Sequence, residues 1–134
     1  MILGVGIDLV DISRMERVLN GRSAGRFVEK VFTEEEIGVC RAATHPAQAY
    51  SARFAAKEAL AKALGTGFSR GVTPRQITVI GGERTRPTIR LTGPVLKEAQ
   101  SMRVTSIHLS LTHTPHSAAA MVVVENADSP QVIP

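Results

Sequence analysis

A chain of 134 residues is long enough for one domain with a real core and short for two. Apolar residues make up 43% and charged residues 21%, with 11 Gly and 7 Pro, a globular balance that excludes collagen-like and disordered chains. Lys and Arg total 16 against 12 acids, a net +4 that favours anionic partners without naming one, while the absence of Trp beside one Tyr and four Phe argues against an aromatic platform for single-stranded nucleic acid.

The first element is a strand. Residues 2–10 (ILGVGIDLV) alternate with period two, which puts Ile7 and Leu9 on one face and Gly4, Gly6 and Asp8 on the other. Asp11 or Ser13 then caps a short helix whose buried stripe is Ile12, Met15 and Leu19, with Arg14 and Arg17 pointing away and Arg22 and Arg26 extending the basic surface. Thr33-Glu34-Glu35-Glu36 is a capping-box pattern that starts a helix running to about Ala43. His45-Pro46 interrupts it. A second, longer helix from Ala47 to about Leu64 follows from alanine density and freedom from Gly and Pro, and Gly65 and Gly67 stop it.

Beyond the loop GTGFSRG the pattern changes to short strands at 76–80, 87–92, 104–112 and 117–124, with turn chemistry at Gly81-Gly82 and Thr114-Pro115. Gly93-Pro94 opens a short helix with Val95, Leu96, Ala99 and Met102 as its apolar stripe. One strand, then helices, then strands with one inserted helix predicts an α+β fold rather than a βαβ alternation. A single domain over 1–125 with a dispensable tail at 126–134 is expected. The lone Cys40 forms no intramolecular disulfide and fits a reducing compartment. The start Met1-Ile2-Leu3-Gly4 has no basic n-region and the longest apolar run is far below the roughly 20 residues a bilayer needs, so a cytoplasmic protein without membrane contact is expected.

Several residues admit both a bland and a chemical reading. Phe54, Glu58 and Lys62 stack along one helical face, so Glu58 and Lys62 form either an exposed ion pair worth about 0.3–0.5 kcal/mol or a metal ligand beside a holder of its anion. Asp8, an acid inside an apolar strand, must be paired, protonated or bound to a cation, and Gly4 and Gly6 allow a ligand or another backbone to come close. Two carboxylates without a cysteine cage suit a hard cation such as Mg²⁺. The glycine loop after the helix either ends it or cradles phosphates. His113 is a turn residue or a ligand contact, and Arg53 and Lys57 are a solvated face or an anion site. Arg14, Arg17, Arg22 and Arg26, opposed over that stretch only by Glu16, are solvated surface or a dock for an acidic protein.

Taken in order, GVGIDLV at 4–10, FTEEE at 32–36, RFAAKEALAKALGTG at 53–67 and SLTH at 110–113 resemble the small bacterial holo-(acyl-carrier-protein) synthases, which are 4'-phosphopantetheinyl transferases; the likeness runs from Ile2 to about Glu125. The resemblance implies that family's fold, an antiparallel sheet packed on helices including one long central helix. It implies transfer of the phosphopantetheine arm of coenzyme A to a serine of apo acyl carrier protein, with release of adenosine 3',5'-bisphosphate and a requirement for Mg²⁺. Matched to the family motifs, Asp8 and Glu58 become metal ligands and Lys62 lies near the pyrophosphate. Arg53, Lys57, the Gly65 loop and His113 line the coenzyme A site, and Arg14 faces the carrier protein. A homotrimer with active sites between subunits is implied too. The serine hydroxyl needs a base, for which Glu58 and a metal-bound water both stand open. Thr114 follows His113 where some relatives carry an acid, a departure from the family pattern at that motif.

A rival of another class is a noncatalytic basic module for nucleotide or nucleic acid, favoured by the sequence pI near 9.8. It supplies no reason for an acid beside two glycines.

Overall fold

The structure is a computed structural model and describes residues 1–127. In chain order it has β1 (Ile2–Asp11), α1 (Ile12–Leu19), α2 (Ala24–Val31), α3 (Glu34–Ala42), α4 (Pro46–Leu64), a 3₁₀ turn at Pro74–Gln76, β2 (Ile77–Ile80), β3 (Thr88–Leu91), α5 (Gly93–Ser101), β4 (Ser106–His113) and β5 (Ser117–Glu125). β1, β5 and β4 form an antiparallel sheet with β5 in the middle, while β2 and β3 pair only with each other. The α+β class is met, with the strands divided between a sheet and a separate hairpin.

The strand β1 and the helix α4 approach each other more closely than side chains allow. A Cβ built on Gly4 would overlap the carbonyl oxygen of Ala63, and one on Gly6 that of Ala59. The glycine face therefore receives a backbone, and the alanines of α4 keep the helix side of the seam thin. Ala55, Ala59, Leu60 and Ala63 then pack on Ala120, Val122 and Val124 of β5, the aliphatic heart of the molecule. The opposite face of β1 has no cover in the single chain, and Val5, Ile7 and Leu9 are 57%, 65% and 69% exposed.

A second core lies among the helices, where Met15, Val28, Val31, Phe32, Ile37, Cys40 and Tyr50 gather with Phe27 and Phe54 at its edge. Most of the aromatics are concentrated there, with Phe32 and Tyr50 ring centroids 4.8 Å apart. Burial pushes the Cys40 thiol up to about 11, so it is a packing residue with no thiolate at neutral pH.

Helix ends follow the expected chemistry. Asp11 caps α1 by accepting from the backbone N–H groups of Ser13 and Arg14, and Gly65 ends α4 in the left-handed region at φ 78°. The Thr33–Glu36 capping box forms. Glu36 is nevertheless fully buried: its Oε1 accepts from Lys57 Nζ at 2.6 Å and its Oε2 from the backbone of Val79 at 2.9 Å.

Other details differ from expectation. α2 is not announced by the sequence, since Ser23 makes no side-chain cap bond, Gly25 sits in its first turn and only Val28 and Val31 are fully buried. On α5 Leu96 leaves the stripe and is exposed, while Val95 and Ala99 are buried in the core and Met102 packs against it. Asn126 and Ala127, assigned to the tail, are tied in: the Asn126 backbone N–H donates to Met1, its side chain to Arg103, and the Ala127 N–H to Thr105 Oγ1. The rest of that tail, 128–134, lies outside the described residues. Among the described residues no helix is long and apolar enough to cross a membrane.

The seam generates a test. Gly6→Ala puts a methyl against a backbone carbonyl that cannot swing away, and is expected to cost about 1–3 kcal/mol or more of unfolding free energy in urea. Gly38→Ala in α3, where nothing lies within 4 Å, should instead stabilise by about 0.5–1 kcal/mol.

Candidate active site

Asp8 stands two residues beyond Gly6 on the face that meets α4, so the glycine seam delivers its carboxylate to the helix. Lys62 answers it: its Nζ donates to Asp8 Oδ1 at 3.0 Å and to the Ile7 carbonyl at 3.0 Å. The expected partner of Lys62 along the helix was Glu58; the ion pair is made across the seam. Glu58, one turn before Lys62 on the same face, is half-buried. Burial raises the pKa of its carboxyl above the usual range, the Asp8 charge raises it further, and Lys62 opposes both. Two carboxylates and one ammonium carry a net negative charge when ionised.

The donors here are hard oxygens, and the described residues contain no group of three or more His, Cys, Asp or Glu that would make a fuller cage. A pair of carboxylates whose mutual repulsion disfavours ionisation is relieved by a divalent cation. The set fits Mg²⁺, which takes one or two protein carboxylates and completes its octahedron with water and phosphate oxygens.

The rest of the expected site lies elsewhere. A cavity of about 420 Å³ is lined by Arg53, His45, Gly81, Gly82, Glu83 and His113 among others. An adjoining one of about 650 Å³ shares His45 and His113 and extends to Ile12 and Glu16. Arg53 is only 5% exposed. Its guanidinium donates to the Ala49 and Gly81 carbonyls at 3.3 and 3.5 Å, and its Nε has no hydrogen-bond partner. A buried cation with slack bonds at the edge of a cavity is suited to an anion. His113, exposed at the end of β4, meets the same space. Within one chain neither Asp8 nor Glu58 lines either cavity, so the acid pair and the cationic cavity are two clusters.

Lys57 departs from expectation most clearly. Adjacent residues on a helix diverge by about 100°, so Lys57 cannot share the Glu58 face. It sits fully buried, donating to Glu36, to the Pro74 carbonyl at 2.9 Å and to the Ile77 carbonyl, and its three protons are used. Burial pulls the pKa of its ammonium down while Glu36 pulls it back up. In this arrangement Lys57 touches no cavity. Gly65 is exposed, and its demand is conformational: a Cβ there meets nothing within 4 Å, but φ is positive. Arg14, Arg17, Arg22 and Arg26 are all exposed along α1 and α2. The site residues that sequence reasoning missed are His45 and the Gly81–Glu83 turn, which read only as helix and hairpin punctuation.

Comparison with known proteins places nearly the whole chain in a family. The model of the 4'-phosphopantetheinyl transferase superfamily matches residues 4–122. A holo-(acyl-carrier-protein) synthase of Methylorubrum extorquens is 46% identical over 131 residues, covering 93% of this chain and 94% of its own. The crystal structure of the holo-(acyl-carrier-protein) synthase from Neisseria meningitidis, 32% identical, overlays with a TM-score of 0.84 over 94% of this chain and all of its own. The enzyme from Bacillus anthracis, solved in complex with CoA (3',5'-ADP), is also 32% identical, with a TM-score of 0.77 over 95% and 99% of the two chains. A family match over nearly the whole length, a close relative in sequence and a shared fold lead to one assignment: the chain belongs to the 4'-phosphopantetheinyl transferase superfamily, among its holo-(acyl-carrier-protein) synthases.

Proposed function

We propose that the chain transfers the 4'-phosphopantetheine arm of coenzyme A to a serine of apo acyl carrier protein and releases adenosine 3',5'-bisphosphate. The observation that carries this reading is the meeting of Asp8, Glu58 and Lys62 across the β1–α4 seam. In the reaction the serine oxygen forms a bond to the phosphorus that bears pantetheine. The bond from that phosphorus to the bridging oxygen breaks, and the electron pair leaves with the nucleotide. Lys62, half-exposed on its stem, is free to turn from Asp8 toward the pyrophosphate and offset charge on the departing oxygen. The serine proton needs an acceptor within hydrogen-bond reach, a role open to Glu58 and to a water beside it. Asp8 and Glu58 would hold Mg²⁺, which when bound supplies neutralisation of charge spreading over the phosphate oxygens.

Arg53 and His113 offer the cavity beside them to the nucleotide end of coenzyme A. The exposed arginines of α1 and α2 suit an acidic carrier protein. The uncovered face of β1 supports self-association, for which the resemblance implies a trimer, and that assembly would bring one subunit's acid pair to another's cavity. With a buried, unreactive Cys40, a cytoplasmic setting is consistent with this reading.

Mass spectrometry of apo carrier protein incubated with coenzyme A and Mg²⁺ should show the gain of one phosphopantetheine on serine. No gain beside an active control enzyme would remove the reaction class. Asp8→Ala and Glu58→Ala should each slow transfer by about a hundredfold or more. Their circular dichroism should match that of the parent, and a near-normal rate would take that residue out of the machinery.

Divalent-cation affinity, measured by calorimetry, should fall as pH drops through the raised pKa of Glu58, beginning above the ordinary carboxylate range. For folding the sign is opposite. A carboxyl whose pKa is raised on folding stabilises the metal-free chain at acid pH and loses that contribution as pH rises. Glu58→Gln should therefore flatten both profiles.

Ile7→Glu on the open face of β1 should lower the molecular mass seen by light scattering toward that of one chain, and an unchanged assembly would place the contact elsewhere.

A further inference from the structure

The proposed reaction leaves Glu36 and Lys57 without a task, although they are among the most deeply buried side chains of the protein. Together they join four parts of the chain. Glu36 belongs to α3 and Lys57 to α4; Lys57 Nζ also holds the carbonyls of Pro74 in the 3₁₀ turn and Ile77 at the start of β2, and Glu36 Oε2 holds the Val79 N–H within β2. Glu36 Oε1 keeps the Thr33 N–H as well, at 2.9 Å. A buried ion pair gains little over an apolar replacement of equal volume, so its effect is to be sought in what it holds in place.

What it holds is the β2–β3 hairpin. That hairpin shares no strand pairing with the main sheet, and its position depends on what docks it. β2 passes directly into Gly81, Gly82 and Glu83, which wall the Arg53 cavity, and both glycines have positive φ. The bond from Arg53 to the Gly81 carbonyl is long, at 3.5 Å, and is a weak tether. Arg53 and Lys57 lie one turn apart on α4, so the buried pair fixes the hairpin at the level just below the cavity.

We propose that Glu36 and Lys57 are positioning residues for the nucleotide end of coenzyme A: they set the β2–β3 hairpin so that Gly81–Glu83 close the cavity over Arg53. Neither touches the substrate. The proposal rests on the reading that this cavity receives coenzyme A.

The test uses the full chain with Lys57→Met, Glu36→Asp and the double variant Glu36→Gln/Lys57→Met. The readouts are the KM for coenzyme A, kcat, and the Kd of adenosine 3',5'-bisphosphate by calorimetry. Lys57→Met leaves a buried carboxylate unpaired, and Glu36→Asp is one methylene short of holding Lys57 and Val79 together. Each should raise KM and Kd about tenfold with kcat within about twofold. The double variant keeps an amide oxygen for Val79 and strands no charge but lacks the Lys57 bonds to the Pro74 and Ile77 carbonyls, so its affinity should recover only part of what Lys57→Met loses. If Lys57→Met weakens binding while Glu36→Asp binds as the parent does, Lys57 contacts the nucleotide itself and the proposal fails. It fails equally if affinity is unchanged in the single variants or if kcat falls at constant KM. Should Lys57→Met not fold, Glu36→Asp decides by the same criteria. A parent chain that binds neither coenzyme A nor the bisphosphate overturns the cavity assignment and the positioning role with it, whereas normal parent binding with indifferent variants overturns the positioning role alone.

Discussion

The close approach of α4 to β1 is the constraint from which the active region follows. Two glycines on one face of a strand admit the carbonyls of Ala59 and Ala63, and with any side chain at Gly4 or Gly6 the helix would ride higher on the sheet. Everything functional on α4 is aimed from that seat. Glu58 and Lys62 reach the strand carrying Asp8, and the Arg53–Lys57 face turns to the hairpin on the other side. One helix thus serves two neighbours with two faces, an electrostatic cluster on one and a buried ion pair with an anion-ready arginine on the other.

The two kinds of charge illustrate how burial assigns roles. Lys57 and Lys62 are five residues apart in one helix, yet Lys57 has every proton committed to protein acceptors and Lys62 remains half-exposed on a single ion pair and one carbonyl. A committed lysine organises structure because removing it strands a carboxylate in a dry interior. An exposed one exchanges partners at little cost.

Much of this was legible in the sequence where the signal is local. The period-two run around Asp8, the alanine-rich stretch of α4, the Thr33–Glu36 box and the left-handed Gly65 cap all depend on residues a few positions apart, and all appear as expected. Even the glycines beside Asp8 announced a close approach, though not whether a ligand or a backbone would make it. Contacts across long separations were not legible. Asp8 and Lys62 are 54 residues apart and Glu36 and Lys57 are 21 apart, and no periodicity encodes which of several carboxylates a lysine will choose. The burial of Lys57 had one usable clue, its place next to Glu58 on a helix, which forbids a common face. The separation of Arg53 and His113 from the acid pair had none, because it depends on how hairpin and sheet are placed.

The seam also has a metrical side. Two residues of strand advance about 6.6 Å and four residues of helix about 6 Å, so Gly4 and Gly6 fall opposite Ala63 and Ala59 almost in step. The next station along the strand is Asp8. A helix held in such a vernier cannot slide by an ångström to suit a different cation or a bulkier phosphate; it can only jump by about a turn, which would carry Glu58 away altogether. The backbone spacing of Asp8 and Glu58 is thereby set by two missing methyl groups, and only side-chain length and identity remain adjustable on a fixed rail.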